Sequence, residues 1–189
     1  MNLFQYNSRK EMMLSFPKNF KILEIGVFQG KFSDFIFNEM QPSELHLIDL
    51  FEGMMDSGDE DGNNPIFIDL KESYDNLKNK FSKNNQVFLH KGFSYEILNK
   101  FEDNYFDLIY LDGDHSYEGV KKDLIMSFKK IKNEKYICGH DYQTNFIKTN
   151  NFYNFGVKRA VDEFCIEYNQ QISMLANDGA VSFGIKIKK

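Results

Sequence analysis

The chain has no tryptophan, only two cysteines, and no apolar run near the ~20 residues that a membrane-spanning helix requires. Its opening residues also lack the long uninterrupted apolar segment of a secretory signal, so a cytoplasmic setting is expected. Cys138 and Cys165 fall in apolar patterns, one on an expected strand and one on an expected helix. Two such unclustered cysteines read as buried thiols rather than as a disulfide or redox pair. An excess of positive charge is missing as well: 23 basic residues face 28 acidic ones, for a formal net charge of -5. Nucleic acid and anionic membranes select basic patches, so neither is an expected partner, and a small neutral or metal-bridged molecule is. The missing tryptophan accompanies abundant Phe, Asn and Lys, a bias that speaks of base composition in the source genome rather than of function. At 189 residues the chain reads as one domain, residues 1–189. That length buries roughly two thirds of its unfolded surface without staples.

What is present is an alternation of strand and helix patterns, which indicates a doubly wound α/β fold. Strands are expected over 21–25, 44–49, 86–90, 106–111 and 135–138, followed by a hairpin from 171–175 and 180–187 around Asn177-Asp178-Gly179. Helical spacing links Phe32, Phe35, Ile36 and Met40, with Pro42 ending that helix. A second helix carries Leu70, Tyr74, Leu77 and Phe81 behind a capping pattern at Asp69 and Glu72. Another runs from Ser94 through Phe101. Val120, Leu124, Phe128 and Ile131 mark a fourth, and Val157, Ala160, Val161, Phe164 and Tyr168 a fifth. Residues 51–68 lack periodicity and place Asp56, Asp59, Glu60 and Asp61 among glycines, which fits a mobile lid loop and equally a plain solvated loop. Residues 1–19 and 143–155 carry no motif.

Chemistry concentrates at the strand ends. Leu23-Glu24-Ile25-Gly26-Val27-Phe28-Gln29-Gly30 spells E-x-G-x-x-x-G after an apolar strand, with Gly26 permitting a sharp turn and Gly30 letting the next helix start close to the sheet. A dinucleotide site would read G-x-G-x-x-G and seat pyrophosphate on the helix N-terminus, which argues against a nicotinamide oxidoreductase. Here a carboxylate precedes the first glycine and suits a cationic ligand. Asp49, about 20 residues further at the end of the second strand, holds the position that accepts both ribose hydroxyls of an adenine nucleoside. Glu24, Asp49, Asp112 and Asp141 all fall at strand C-termini, so one sheet edge gathers the ionisable groups, helix capping being the plainer alternative for each. His46 and His90 lie in or beside strands without partner motifs and read as packing residues.

The glycine loop resembles the first motif of class I S-adenosylmethionine-dependent methyltransferases. Three further runs strengthen the likeness: Asp49-Leu50-Phe51-Glu52-Gly53, the stretch Leu111-Asp112-Gly113-Asp114-His115-Ser116-Tyr117-Glu118-Gly119-Val120-Lys121-Lys122-Asp123, and Gly139-His140-Asp141-Tyr142. Together they resemble a family of small O-methyltransferases that includes the macrocin type, over about Phe20 to Tyr142. The resemblance implies a Rossmann-like α/β fold with a seven-stranded, mostly parallel sheet closed by a C-terminal antiparallel hairpin. It also implies S-adenosylmethionine held by Glu24, Gly26, Gly30, Asp49 and Asp112, and methyl transfer to a hydroxyl of a small sugar, diol or phenol. A more distant similarity runs to catechol and caffeoyl-coenzyme A O-methyltransferases. In those, an acid after the fourth strand and an Asp-Asn pair after the fifth hold a divalent cation, and a lysine three residues after the first acid is the base. Asp112 and Asp141 match the two acids, while His115 stands where the lysine is and Tyr142 where the Asn is. The similarity therefore implies His115 as general base and a cation such as Mg²⁺ at Asp112 and Asp141, with His140 or Asp114 as a third ligand. Gly92-Phe93-Ser94 matches the adenine-side turn, which implies Ser94 as a cofactor hydrogen-bonding residue and Tyr95 as an adenine neighbour. A metal-independent N- or O-methyltransferase and a non-catalytic S-adenosylmethionine-binding module remain as alternatives.

Overall fold

Phe106–Leu111 is buried at every position, as befits a parallel strand with neighbours on both edges and helices on both faces. A computed structural model describes residues 3–56, 67–143, 145–148, 151–154 and 156–189. In chain order the elements are β1 (Phe4–Tyr6), α1 (Arg9–Leu14), β2 (Lys21–Ile25), α2 (Lys31–Phe35), β3 (Glu44–Asp49), β4 (Met54–Asp56) and β5 (Phe67–Asp69). They continue with α3 (Leu70–Lys80), β6 (Val87–Lys91), α4 (Ser94–Leu98), β7 (Phe106–Leu111), α5 (Tyr117–Lys130) and β8 (Ile131–Gly139). The last are β9 (Asn145–Lys148), β10 (Asn151–Asn154), α6 (Val157–Glu167), β11 (Ile172–Asn177) and β12 (Val181–Lys186).

The main sheet has the order β1-β11-β12-β8-β7-β2-β3-β6. The run from β8 to β6 is parallel, and β12 pairs antiparallel with both β8 and β11. One face packs Ile22, Leu45, Leu47, Leu108 and Tyr110 against α1, α2 and α3. The other packs Leu23, Ile25, Ile48, Ile109 and Leu111 against α4, α5 and α6. Alternation within each strand thus feeds two cores. The parallel C-termini bring the ends of β2, β3, β7 and β8 to one edge, where the site lies.

Several elements differ from the sequence reading. The sheet has eight strands rather than seven, because β1 pairs in parallel with β11 at Phe4↔Met174. Three partly exposed residues show no alternation long enough to announce an edge strand. β8 begins at Ile131 rather than Lys135, directly where α5 ends, and α4 stops at Leu98 rather than Phe101. The expected helix after the glycine loop runs α-helical to Phe35 and continues as a π-helical turn over Ile36–Met40. Gln41 in the left-handed region, before Pro42, then ends it. Asp69 caps α3 by accepting the Lys71 N–H, one position earlier than a capping box would place it. Residues 143–155, which carry no motif, hold the antiparallel pair β9 and β10, and β4 pairs with β5. The remainder of the lid expectation, residues 57–66, lies outside the described residues. Cys138 is buried, Cys165 is half-buried, and both are free thiols. Among the described residues no helix is long and apolar enough to cross a membrane.

The two histidines assigned to packing form a pair. His46 Nδ1 lies 3.0 Å from His90 Nε2, His46 stacks on Phe88, and Phe101 meets it edge-on. Glu44 sits 3.3 Å from the other His46 nitrogen and is also held by Lys21 and the Tyr105 hydroxyl. Burial lowers the pKa of both imidazoles, and burial followed by the neighbouring His46 and Lys100 brings His90 to about 4. An unfolded imidazole takes its proton near ~6.5, so between that value and ~4 the unfolded chain binds more protons. Stability is therefore complete above ~6.5 and falls as pH drops toward ~4, by on the order of 3 kcal/mol from this site. Urea unfolding across that range should show the loss, and His90→Gln should flatten it.

Candidate active site

Backbone touches backbone where β2 meets β7. Gly26 has φ +88°, and a β-carbon there would stand 2.0 Å from the Asp112 carbonyl oxygen. The contact is locked by the Asp112 N–H donating to the Ile25 carbonyl at 2.8 Å and the Gly26 N–H donating to the Ile48 carbonyl at 2.9 Å. Gly30 heads α2 at φ +75°, where a side chain would strike Leu77. Asp49 draws the loop together: its Oδ2 accepts from the Val27 and Phe28 N–H groups at 2.8 and 2.9 Å, and its Oδ1 accepts from the Phe51 N–H at 3.1 Å. A carboxylate has about four lone-pair sites, so Asp49 still has capacity for a donor from a ligand.

Glu24 is 1% exposed and accepts a 2.5 Å hydrogen bond from the Ser33 hydroxyl. Burial pushes its pKa up to about 8 against that bond, with Asp112 and Asp49 adding to the rise. At neutral pH it is mostly a neutral carboxylic acid, unlike the anion that the sequence suggests, and an approaching cation would favour its ionisation.

The acids at the ends of β7 and β8 converge on histidine. His115 Nε2 lies 3.1 Å from Asp141 Oδ2 and 3.5 Å from Asp112 Oδ1. His140 Nδ1 lies 3.3 Å from Asp141 Oδ2 and 3.8 Å from Asp112 Oδ1. Donor atoms of Asp112, His115 and Asp141 all fall within 4.8 Å of one another, the set able to hold a cation. The sequence likeness pairs His140 with the acids instead, whereas His115 completes this set. Burial opposes the imidazolium of His115, yet Asp112 and Asp141 outweigh it and carry the pKa up to about 10. Burial likewise works against the Asp141 anion, but hydrogen bonds from His115 and His140 hold its pKa well below the usual carboxylate range.

Local structure explains this convergence. Asp141 adopts φ +56°, turning its side chain back toward β7. Ser116 caps α5 by accepting the Gly119 N–H, and the His115 carbonyl accepts the Gly156 N–H at 2.9 Å. Gly156 fits against Tyr117, whose backbone nitrogen would be 2.1 Å from a β-carbon at that position, so the turn bearing His115 is clamped by the start of α6. Asp114 accepts from the Ser116 N–H and shapes this turn rather than joining the donor set. Tyr142 points away: its hydroxyl donates to Asp162 at 2.5 Å and accepts from Lys158 at 3.3 Å.

A small pocket lined by Asp112, His115, Val120, Asp123, His140 and Phe183 adjoins this cluster. The Ser94 hydroxyl donates to buried Asp123, whose pKa burial pushes up to about 6. Tyr95 is half-exposed and stacks on Phe93 with ring centroids 5.4 Å apart. Arg9, from the segment without a motif, also reaches the site: its Nη1 lies 3.2 Å from Asp112 Oδ2 and its guanidinium sits 4.6 Å from the centre of the Phe32 ring. The only sequence trace of it is Ser8-x-x-Glu11, which announces a helix start but not what the arginine meets.

A sequence profile of the family described as "Methyltransferase domain" matches residues 23–142. Among solved structures, the chain is similar to the O-methyltransferase NovP, at 17% identity over 96% of this chain and 80% of that one, with a TM-score of 0.62. It is similar to the ribosomal protein L11 methylase of Lactobacillus delbrueckii subsp. bulgaricus, at 13% identity over 95% and 77% of the two chains and a TM-score of 0.61. It also resembles Aeropyrum pernix fibrillarin, solved in complex with S-adenosyl-L-methionine, at 11% identity over 89% and 67% and a TM-score of 0.60. At these identities the likeness is one of fold. No curated protein sequence matches the chain. The approach at Gly26 sets a test: Gly26→Ala should cost about 3 kcal/mol or more and abolish the thermal upshift produced by S-adenosylhomocysteine, both read by scanning calorimetry.

Proposed function

Because this chain belongs to the methyltransferase-domain family and is an S-adenosylmethionine-dependent enzyme, we propose that it methylates a hydroxyl oxygen of a small acceptor such as a sugar, diol or phenol. The observation that carries this reading is the convergence of Asp112, His115 and Asp141 on one point beside the glycine loop. A sulfonium is already a good leaving group. The protein's task is to hold the acceptor oxygen in line with the methyl carbon and to ease removal of its proton.

In this reading Gly26 and Gly30 let the cofactor lie against the loop, and Asp49 takes the ribose hydroxyls with its remaining lone pairs. Ser94, tied to Asp123, and Tyr95 border the adenine. Asp112 closes the cofactor site and opens the acceptor site, since it belongs to both. Asp112 and Asp141 orient the acceptor hydroxyl, and His115 governs its proton. As a free base His115 must first lose the proton that the two acids stabilise, so without a cation turnover rises with pH toward about 10. Two carboxylates and one imidazole also suit a divalent cation, Mg²⁺ or a more nitrogen-tolerant ion such as Mn²⁺. Such an ion, held by Asp112, Asp141 and neutral His115, would supply a lowered hydroxyl pKa and a fixed acceptor direction, with His115 then a ligand rather than the base.

One observation favours a second reading, methyl transfer without metal: the imidazolium of His115, 3.1 Å from Asp141, already balances charge between the acids. Net negative charge and the free thiols accord with a small-molecule acceptor and a cytoplasmic setting, without nucleic acid or membrane as partner. The test is release of S-adenosylhomocysteine from catechol, diol and sugar acceptors, with chelator or added Mg²⁺ or Mn²⁺. We expect activity to fall on chelation and return with metal, whereas full activity in chelator selects the second reading. Cofactor binding with no turnover on any acceptor would favour a non-catalytic binding module. His115→Ala should lower kcat by about 100-fold or more while leaving the S-adenosylhomocysteine Kd within about twofold. Wild-type turnover in that variant at saturating cofactor would remove His115 from the chemistry.

A further inference from the structure

Arg9 is half-buried and anchored through its own backbone and its neighbours. The Ser8 hydroxyl accepts the Glu11 N–H at 3.1 Å, and the Glu11 carboxylate accepts the Asn7 N–H at 2.8 Å. The backbone N–H of Arg9 itself donates to Asp178 Oδ2 at 3.1 Å, in the turn between β11 and β12. With β1 in register on β11 just upstream, the start of α1 is fixed to the sheet. The side chain then extends over Phe32 at the start of α2 to reach Asp112, whose backbone presses on Gly26.

A guanidinium fixed there faces a particular chemical need. The amino-acid end of S-adenosylmethionine carries an α-ammonium and an α-carboxylate. Asp112 can answer the ammonium, but the carboxylate needs donors. The glycine-loop N–H groups at 26, 27, 28 and 30 are already given to Ile48, to Asp49 twice, and to Val27. A guanidinium has five N–H donors in a planar fork that matches a carboxylate. We infer that Arg9 binds the α-carboxylate of the S-adenosyl cofactor, while the α-ammonium takes up the Asp112 oxygen that Arg9 shares. One ion pair becomes two, and no charge is left alone in a half-buried site. The exchange also makes the N-terminal segment part of the cofactor site.

This inference rests on the cofactor assignment, and a matched pair of probes separates the two. S-adenosylhomocysteine and its decarboxylated counterpart, S-adenosyl-3-thiopropylamine, differ only in the carboxylate. By titration calorimetry the wild type should prefer S-adenosylhomocysteine by about ten- to a hundredfold, the scale of a charge-assisted hydrogen bond. Arg9→Ala should weaken S-adenosylhomocysteine by a similar factor, leave the decarboxylated ligand within about twofold, and so erase the preference, with Arg9→Lys restoring part of it. Equal weakening of both ligands, or of neither, overturns the role. Should Arg9→Ala fail to fold, Arg9→Gln carries the same comparison. If the wild type binds neither ligand, the cofactor premise fails and the inference falls with it, a result distinct from loss of carboxylate preference alone.

Discussion

The Asp112 carbonyl oxygen occupies the space that a side chain at position 26 would need, and most of the site follows from that contact. Because Gly26 yields this space, β2 and β7 end side by side with their last residues hydrogen-bonded, and the turn into α2 closes over them. Asp112 is thereby fixed between the glycine loop and the pocket lined by His115 and His140. Its side chain meets Arg9 on one oxygen and faces the histidines with the other. Under the proposed function, a cofactor site and an acceptor site that share this one rigid residue would be held at a constant separation, which in-line transfer demands.

Charge is organised around this point in compensating pairs. Asp141 and Asp112 would repel each other across the cleft, and His115 offsets that repulsion as an imidazolium whose pKa reaches about 10. Glu24, further in and bonded to Ser33, avoids the cost of a buried anion by staying protonated, with a pKa of about 8. Arg9 supplies the remaining cation from a helix distant in sequence. Arg9 and His115 thus offset Asp112 and Asp141 with the protein's own side chains, and under the proposed function a metal ion or acceptor would take over at His115 and a cofactor ammonium at Arg9. The distal end of the sheet is treated differently. His46 and His90 share a hydrogen bond among aromatic rings and stay neutral, which ties β3 to β6 without placing charge in the core.

Asp141 and the turn bearing His115 are both supported by the connection between β8 and α6. Asp141 ends β8 and leads into the segment carrying β9 and β10, and that segment returns at Gly156, whose N–H holds the His115 carbonyl. Both sides of the donor set are therefore anchored to one excursion of the chain. Tyr142 and Lys158, joined through Asp162, fasten the two stems of that excursion to each other.

The amino-acid sequence by itself determined the features that depend on neighbours along the chain. β2, β3 and β7 were legible to the residue because strands buried on both faces leave near-continuous apolar runs, and glycines and acids punctuate their ends. E-x-G-x-x-x-G marked the tight turn at the end of β2, and Asp49, Asp112 and Asp141 were legible as strand-end acids for the same local reason. Tertiary structure alone decided what depends on register and on side-chain direction between distant segments. The pairing of β1 with β11 brings Arg9 to Asp112 across about a hundred positions. The left-handed turn at Asp141 sends its carboxylate to His115 while Tyr142 turns to α6, and burial protonates Glu24 and neutralises the His46–His90 pair. These outcomes are set by which groups share a dehydrated space, a property of the packed sheet and helices that no single stretch of the chain contains.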